Sequence, residues 1–444
     1  MTGIEIGVTS VILIVVLIYL GMYIPVALGL VSFIGVWIIR SNVDMAVALL
    51  SEAIADAVTE FVFATVPLFA LMGLIVSKAG LGKDVYEVAN FVFYRIRGGL
   101  GIATVAANAI FASITGSSIA SASVFTRVAV PEMKRFGFKS RFTVGVVAGS
   151  SVLGMLIPPS AMLIIYSIVT EQSVGQMFVA GIIPGLLLSA AYAALILLMA
   201  YTVPSWVGGM ESKSVANEDW AKMTLWNFVS KLFPIVLLIA VVLGGIYSGW
   251  VTPVEAGAMG SLAALIIAIF KRAMSWQDLW EVLVETGHIT AAILFLIIAA
   301  TMYNRMLGVA GLPTQFGEWL TGMKFSLGEI MALYVVLLLL LGTILDTASI
   351  ILIVVPLFLA ALDAYGVDLV WFGIVTVVGA EIGLLTPPLG ISCFVIKSTI
   401  NDPDITLFDI FAGAFPFAVT MLLTLIILIN FPVLSTYLLQ FGLM

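Results

Sequence analysis

One cysteine and one histidine are all that the 444 residues contain of either type. Cys393 alone excludes an internal disulfide, and His288 alone argues against a histidine-based metal or catalytic cluster. Charge is equally scarce, with Asp, Glu, Lys and Arg making up 10% of the chain. The amino-terminal apolar run from Ile4 lacks an Arg-rich start and a small-residue cleavage site, so it reads as structure and not as a removable signal. What fills the sequence instead is apolar: 62% hydrophobic residues and a mean hydropathy of +1.22, more than a soluble domain can hide. A hydrocarbon core about 30 Å thick takes roughly 20 apolar residues per helix, which leaves room for about ten spans and short loops. The runs are continuous and lack the in-out alternation of a membrane barrel, so the spans are helices.

The chain repeats its own punctuation. Gly21, Pro25 and Gly29 match Gly249, Pro253 and Gly257; Glu52 and Asp56 match Glu281 and Glu285; Gly80-Leu81 matches Gly311-Leu312; Gly137 matches Gly366. Gly154-Met-Leu-Ile-Pro158-Pro159 returns as Gly383-Leu-Leu-Thr-Pro387-Pro388. The offset stays within 228 to 231 residues throughout, a register that chance does not hold. The first repeat is expected over 1–203 and the second over 227–444, joined by a polar linker at 204–226 that carries Glu211, Lys213, Glu218, Asp219 and Lys222.

Each half reads as two spans (about 4–20 and 24–39; 227–247 and 252–270), an acidic amphipathic segment, and a third span near 61–77 or 288–304. A paired apolar segment with a polar tip follows, near 99–133 or 327–362, then a Pro-interrupted span and a last span near 176–203 or 407–435. With the tipped pair as a re-entrant hairpin, each half crosses five times, and an odd number inverts the second half. Charge agrees. The loop Lys134 to Arg141 is strongly basic, whereas its counterpart Asp363 to Asp368 is acidic, so the two belong on opposite sides. Lys271-Arg272 places its own loop in the cytoplasm, and both termini fall outside. The expected fold is all-α and integral to the membrane: an inverted repeat of two five-crossing halves, of the elevator type of ion transporter.

Interrupted helices at membrane depth leave carbonyls and amides free to hold ions and carboxylates. The tips Thr115-Gly-Ser117-Ser118-Ile-Ala-Ser121 and Thr343-Ile-Leu-Asp346-Thr347-Ala-Ser349 add hard oxygen donors, which suit sodium. The double prolines free carbonyls of the preceding turn. A plainer reading has each Ser or Thr bonded to its own helix and each Pro as a packed kink. Tip and break recurring together in both halves favour a site. Ionisable residues at membrane depth are candidates by default, here Asp346 and Glu381. Arg127 lies seven residues from the basic loop and can snorkel toward the cytoplasm instead. The substrate-facing candidates are Ser117, Ser121, Arg127, Asp346, Ser349 and Glu381.

The stretches Thr115-Gly-Ser-Ser, Pro131-Glu-Met-Lys-Arg-Phe-Gly, Gly154-Met-Leu-Ile-Pro-Pro-Ser160, Thr170-Glu-Gln-Ser173 and Ala180-Gly-Ile-Ile-Pro-Gly185 resemble the large membrane subunit of tripartite ATP-independent periplasmic (TRAP) transporters. The resemblance runs over essentially the whole chain. It implies a sodium-coupled importer of a small organic anion in the bacterial inner membrane, fed by a periplasmic binding protein and held by a small four-helix subunit. It further implies one sodium site at Thr115, Ser118, Gly154, Ile157 and Pro159, and a second at Asp346, Thr347, Gly383, Thr386 and Pro388. Because the first span begins at residue 4, the small subunit is expected as a separate chain. A stand-alone ion-coupled anion transporter is the alternative. An intramembrane enzyme would need a Ser/His, paired Asp or metal cluster, and a channel would need polar positions along a continuous path. Sialic acids, four-carbon dicarboxylates and keto acids all fit as substrates.

Overall fold

The structure, a computed structural model, describes residues 2–208, 223–400 and 402–441, and its named elements are all helical. Most of the expected linker lies outside the described residues. Among the described residues seven helices are long and apolar enough to cross a membrane, or eight if the helices flanking Pro158-Pro159 form one bent span. The chain is an all-α, multi-pass membrane protein. The count falls below ten because several apolar helices are short. The paired helices α1 (Gly3–Tyr19) and α2 (Ile24–Arg40) have 17 residues each, about 25 Å of helix.

The acidic segment and third span come out differently in the two halves. In the first, α3 (Val43–Thr59) stops at Glu60, a short 3-10 turn follows, and α4 (Thr65–Lys78) starts afresh. Pro67 explains the restart: its ring excludes the carbonyl four residues back and its nitrogen donates nothing, so it is accommodated only in the first turn of a helix. In the second half, α12 (Leu225–Tyr247) and α13 (Pro253–Phe270) lead into α14 (Trp276–Ala310). This helix runs unbroken for 35 residues, about 52 Å, with Leu296 at the register of Pro67. Helices α1, α2, α4, α13 and α14 pack together as one layer, with α14 along α2 and α13 along α4.

Apart from α3, which packs on α2 and α14, and α12, which packs on α13 and α5, the remaining helices form a second body. After α5 (Leu81–Phe93), α6 (Gly99–Thr115) and α7 (Ser118–Arg135) make the first hairpin. Next come α8 (Ser140–Ser151), a one-turn α9 (Leu153–Leu156), α10 (Ala161–Thr170) and the long α11 (Val174–Thr202). In the other half α15 (Leu312–Gly322) precedes the hairpin of α16 (Leu327–Gly342) and α17 (Thr347–Ala364). Helices α18 (Leu369–Gly383), α19 (Ile391–Thr399) and α20 (Leu407–Asn430) follow.

Helix α20 serves as a ruler across this body. Near its start Asp409 accepts from Arg141 Nε at 2.6 Å, at the outer end of the first hairpin, and Lys134 pairs with Asp402 beside it. Near its other end Leu428 accepts from Trp371 Nε1 at 2.8 Å, next to the outer end of the second hairpin. These anchors are 19 residues apart, about 28 Å along the helix. The hairpins therefore enter the body from opposite ends.

Candidate functional site

Both tips are made by the same local rule. A small polar residue ends the first helix, a non-helical link follows, and an oxygen side chain caps the second helix. Ser117 caps α7 by accepting the Ala120 amide at 3.3 Å, and Asp346 caps α17 by accepting the Ser349 amide at 3.3 Å. Ser349 Oγ also donates to Asp346 Oδ1. Such capping gives each second helix a fixed start, with its positive dipole end at the tip.

Each tip rests on the break of its own half. A Cβ on Gly154 would lie 2.9 Å from both the carbonyl carbon and oxygen of Ser117, so only glycine allows this approach. The contact of Gly383 with Gly342 is closer still, at 2.4 Å from the added Cβ to Cα. The Leu389 amide, just past the second double proline, donates to the Thr343 carbonyl at 3.2 Å. Both Pro158-Pro159 and Pro387-Pro388 peptides are cis.

Among the five expected sodium-site residues that carry side-chain oxygen, Ser118 stands out. Its Oγ is buried with no hydrogen-bond partner. Thr115 Oγ1 donates to the Phe111 carbonyl at 3.1 Å and Thr386 Oγ1 to the Gly383 carbonyl at 2.9 Å. Thr347 Oγ1 donates to Glu381 Oε1 at 2.7 Å, which leaves Glu381 Oε2 buried without a partner. Gly154 and Pro159 are buried and Ile157 half-buried, whereas Pro388 is exposed.

The two tips meet at one cavity of about 720 Å³. Ser118 and Ile119 line it from the first tip, and Asp346, Thr347, Ala348 and Ser349 from the second. Its opposite wall belongs to the other layer, through Met22 and Tyr23 in the α1–α2 turn and Phe295 and Leu296 on α14. Among the described residues Asp346 is the one charged residue in its lining. The substrate-facing candidates thus separate. Asp346 and Ser349 line the cavity; Ser117 stands half-buried at the cap; Ser121 and Glu381 are fully buried outside the lining. Arg127 is exposed on α7, nine residues or about 14 Å beyond Ser118, and does not reach the cavity. Sequence reasoning passed over Ser392, a cavity residue whose Oγ is buried and unpaired. Its place two residues after Gly390, just past the second break, was the available signal.

The family described as "Tripartite ATP-independent periplasmic transporter, DctM component" matches residues 11–434. The chain belongs to this TRAP transporter family. Among its relatives, the C4-dicarboxylate TRAP transporter large permease protein DctM of Pseudomonas aeruginosa is 33% identical over 375 residues, 83% of this chain and 84% of that protein. The sialic acid TRAP transporter large permease protein SiaM of Vibrio cholerae is 28% identical, with 94% of each chain covered. The 2,3-diketo-L-gulonate TRAP transporter large permease protein YiaN of Escherichia coli is 27% identical over 87% of this chain and 88% of its own. As a TRAP large permease the chain is a transporter component and not an enzyme. Two solved transporter structures share the fold at low identity. The YdaH transporter of Alcanivorax borkumensis has a TM-score of 0.52 and 15% identity, covering 90% of both chains. MtrF of Neisseria gonorrhoeae has 0.56 and 11%, covering 89% of this chain and 84% of its own.

Proposed function

We propose that this TRAP permease imports a small organic anion, a carboxylate such as a sialic acid, a four-carbon dicarboxylate or a keto acid, driven by sodium. The observation that carries the reading is the single cavity bounded by both tips. Among the described residues no lysine or arginine lines it, so an anion there would rely on other positive potential. Two sources fit. The amino-terminal ends of α7 and α17 both reach the cavity, through Ser118 and Thr347, and such ends favour anions. Sodium bound beside the tips would supply the rest and tie anion binding to the ion gradient. The donors suit a hard cation: the unpaired Ser118 hydroxyl, the Asp346 carboxylate, the hydroxyls of Thr115, Thr347 and Thr386, and carbonyls around Gly154, Ile157, Pro159, Gly383 and Pro388.

The cavity lies between two layers, which supports an elevator. In this reading the two hairpins and broken helices, with α11 and α20, form a body that slides against a scaffold of α1, α2, α4, α12, α13 and α14. The Lys134–Asp402 and Arg141–Asp409 pairs hold the body's halves together during the movement. Residues 1–203 and 227–444 are the two inverted repeats, both termini face the periplasm, and 204–226 is cytoplasmic. A periplasmic binding protein delivers the anion, and a separate small four-helix subunit widens the scaffold. Reconstitution into liposomes with an inward sodium gradient tests this, omitting one component at a time. Uptake needs all three proteins and sodium; accumulation by this chain alone would reject the tripartite reading.

A further inference from the structure

We propose that α5 is an ionic clamp that ties the moving body to the scaffold in the conformation seen here, with Asp84 and Glu87 setting how readily it releases. The inference rests on the elevator reading. Helix α5 joins α4 of the scaffold to α6 of the first hairpin, and at each end the backbone turns through a glycine of positive φ, Gly80 at 72° and Gly98 at 71°. A Cβ on Gly80 would meet nothing within 4 Å, so the joint is not wedged by packing and the chain is free to bend there.

Two ion pairs bridge this joint. Lys271, at the end of α13, pairs with Asp84, and Lys231, on α12, pairs with Glu87. Both lysines come from scaffold helices, and both acids lie on α5, which packs along α6 and so travels with the body. The side chains retain only 19% to 30% of their exposure, so solvent and salt screen these pairs less than fully exposed ones.

The second half has the same joint without the clamp. Gly311 has φ 75° with open space around it, and α15 after it packs along α17 of the body. Yet among the described residues neither Glu318 on α15 nor Lys324 beyond it forms an ion pair with the scaffold. Displacing the body thus breaks two ion pairs at α5 and none at α15. Carboxylates and ammonium groups facing each other across one of two otherwise similar joints give this conformation a bias that the repeat alone would not.

The test uses the full chain in lipid nanodiscs, with a Cys393→Ala background and spin labels at Asn227 in the scaffold and Ser398 in the body. Distances are measured with and without sodium. Wild-type protein should show two populations. Asp84→Asn with Glu87→Gln should move their ratio away from the clamped one by about fivefold for each pair lost. Exchanging the charges, Asp84→Lys with Lys271→Asp, should restore most of the ratio, which separates lost attraction from damaged folding. Glu318→Gln should leave it unchanged. Two populations with the same ratio in wild type and double variant would overturn the clamp and leave the elevator standing. A single distance under every condition would overturn both.

Discussion

The first tip offers only neutral oxygens, from Thr115, Ser117 and Ser118, over a buried double proline; the second places Asp346 and Glu381 near Thr347 and leaves Pro387 and Pro388 exposed. The two tips share a backbone arrangement but differ in electrostatics. A carboxylate holds a cation more strongly than a hydroxyl does, and it repels an anion that arrives unaccompanied. On the proposed reading, the second tip is where cation and substrate depend on each other most, and the first is where the helix end faces the anion beside a cation held by neutral oxygens alone.

Substitutions at the two glycine contacts should expose this difference most strongly. Gly383→Ala drives a methyl to 2.4 Å from the Gly342 backbone, and Gly154→Ala drives one to 2.9 Å from Ser117. Neither neighbour can yield without moving a tip. Overpacking of this kind costs about 1 to 3 kcal/mol. Thermal unfolding in detergent should show both variants destabilised, Gly383→Ala more so, with uptake lost in each. Equal tolerance of both would remove the argument that tip and break act as one unit.

Smaller effects separate the charges. Asp346→Asn should raise the sodium concentration for half-maximal uptake by more than about tenfold, the scale of a charged hydrogen-bond partner. Ser118→Ala should raise it by about three- to tenfold, the scale of a neutral one. Titrating uptake with sodium at fixed substrate checks both. If the first tip proved the more sensitive, the ranking of the two sites would reverse.

The glycines, prolines and hydroxyls that build the two tips and breaks were legible in the sequence because they recur at a fixed offset. Ser117 and Asp346 stood out in the sequence as polar tip residues, and Gly154 and Gly383 as members of the repeated Gly…Pro-Pro motif; that the first two cap helices and the last two are points of close approach came from the packing. Other features depend on segments far apart in the chain. The scaffold wall of the cavity comes from Tyr23 and Phe295, whose neighbours in sequence give no sign of it. Arg127 had the right chemistry, but helical rise carries it past the cavity. The break at Pro67, and the acidic segment and span fused in the second half where leucine stands at that register, were not expected from the sequence and emerged only from comparing the two halves.

The smallest effect belongs to the surface pair joining the halves. The Lys134 ammonium, and then the Asp404 amide, hold the Asp402 carboxyl below its ordinary value of 3.8. A depressed carboxylate contributes stability that is complete above its unfolded value and is lost as pH falls through the folded one. Asp402→Asn should therefore change thermal stability only slightly, and equally at pH 7 and pH 5. The difference from wild type should shrink below about pH 4. A difference that vanished already at pH 5 would contradict the assigned partner.

The comparison stands on the two halves entering the membrane from opposite sides. Single cysteines replacing Lys139 and Ala364, in a Cys393→Ala background, report this directly through a membrane-impermeant thiol reagent applied to intact cells and to inverted vesicles. Both positions are exposed, each at the outer end of its hairpin. The account predicts that Lys139→Cys labels only from the cytoplasmic side and Ala364→Cys only from the periplasmic side. Labelling of both from one side would contradict it.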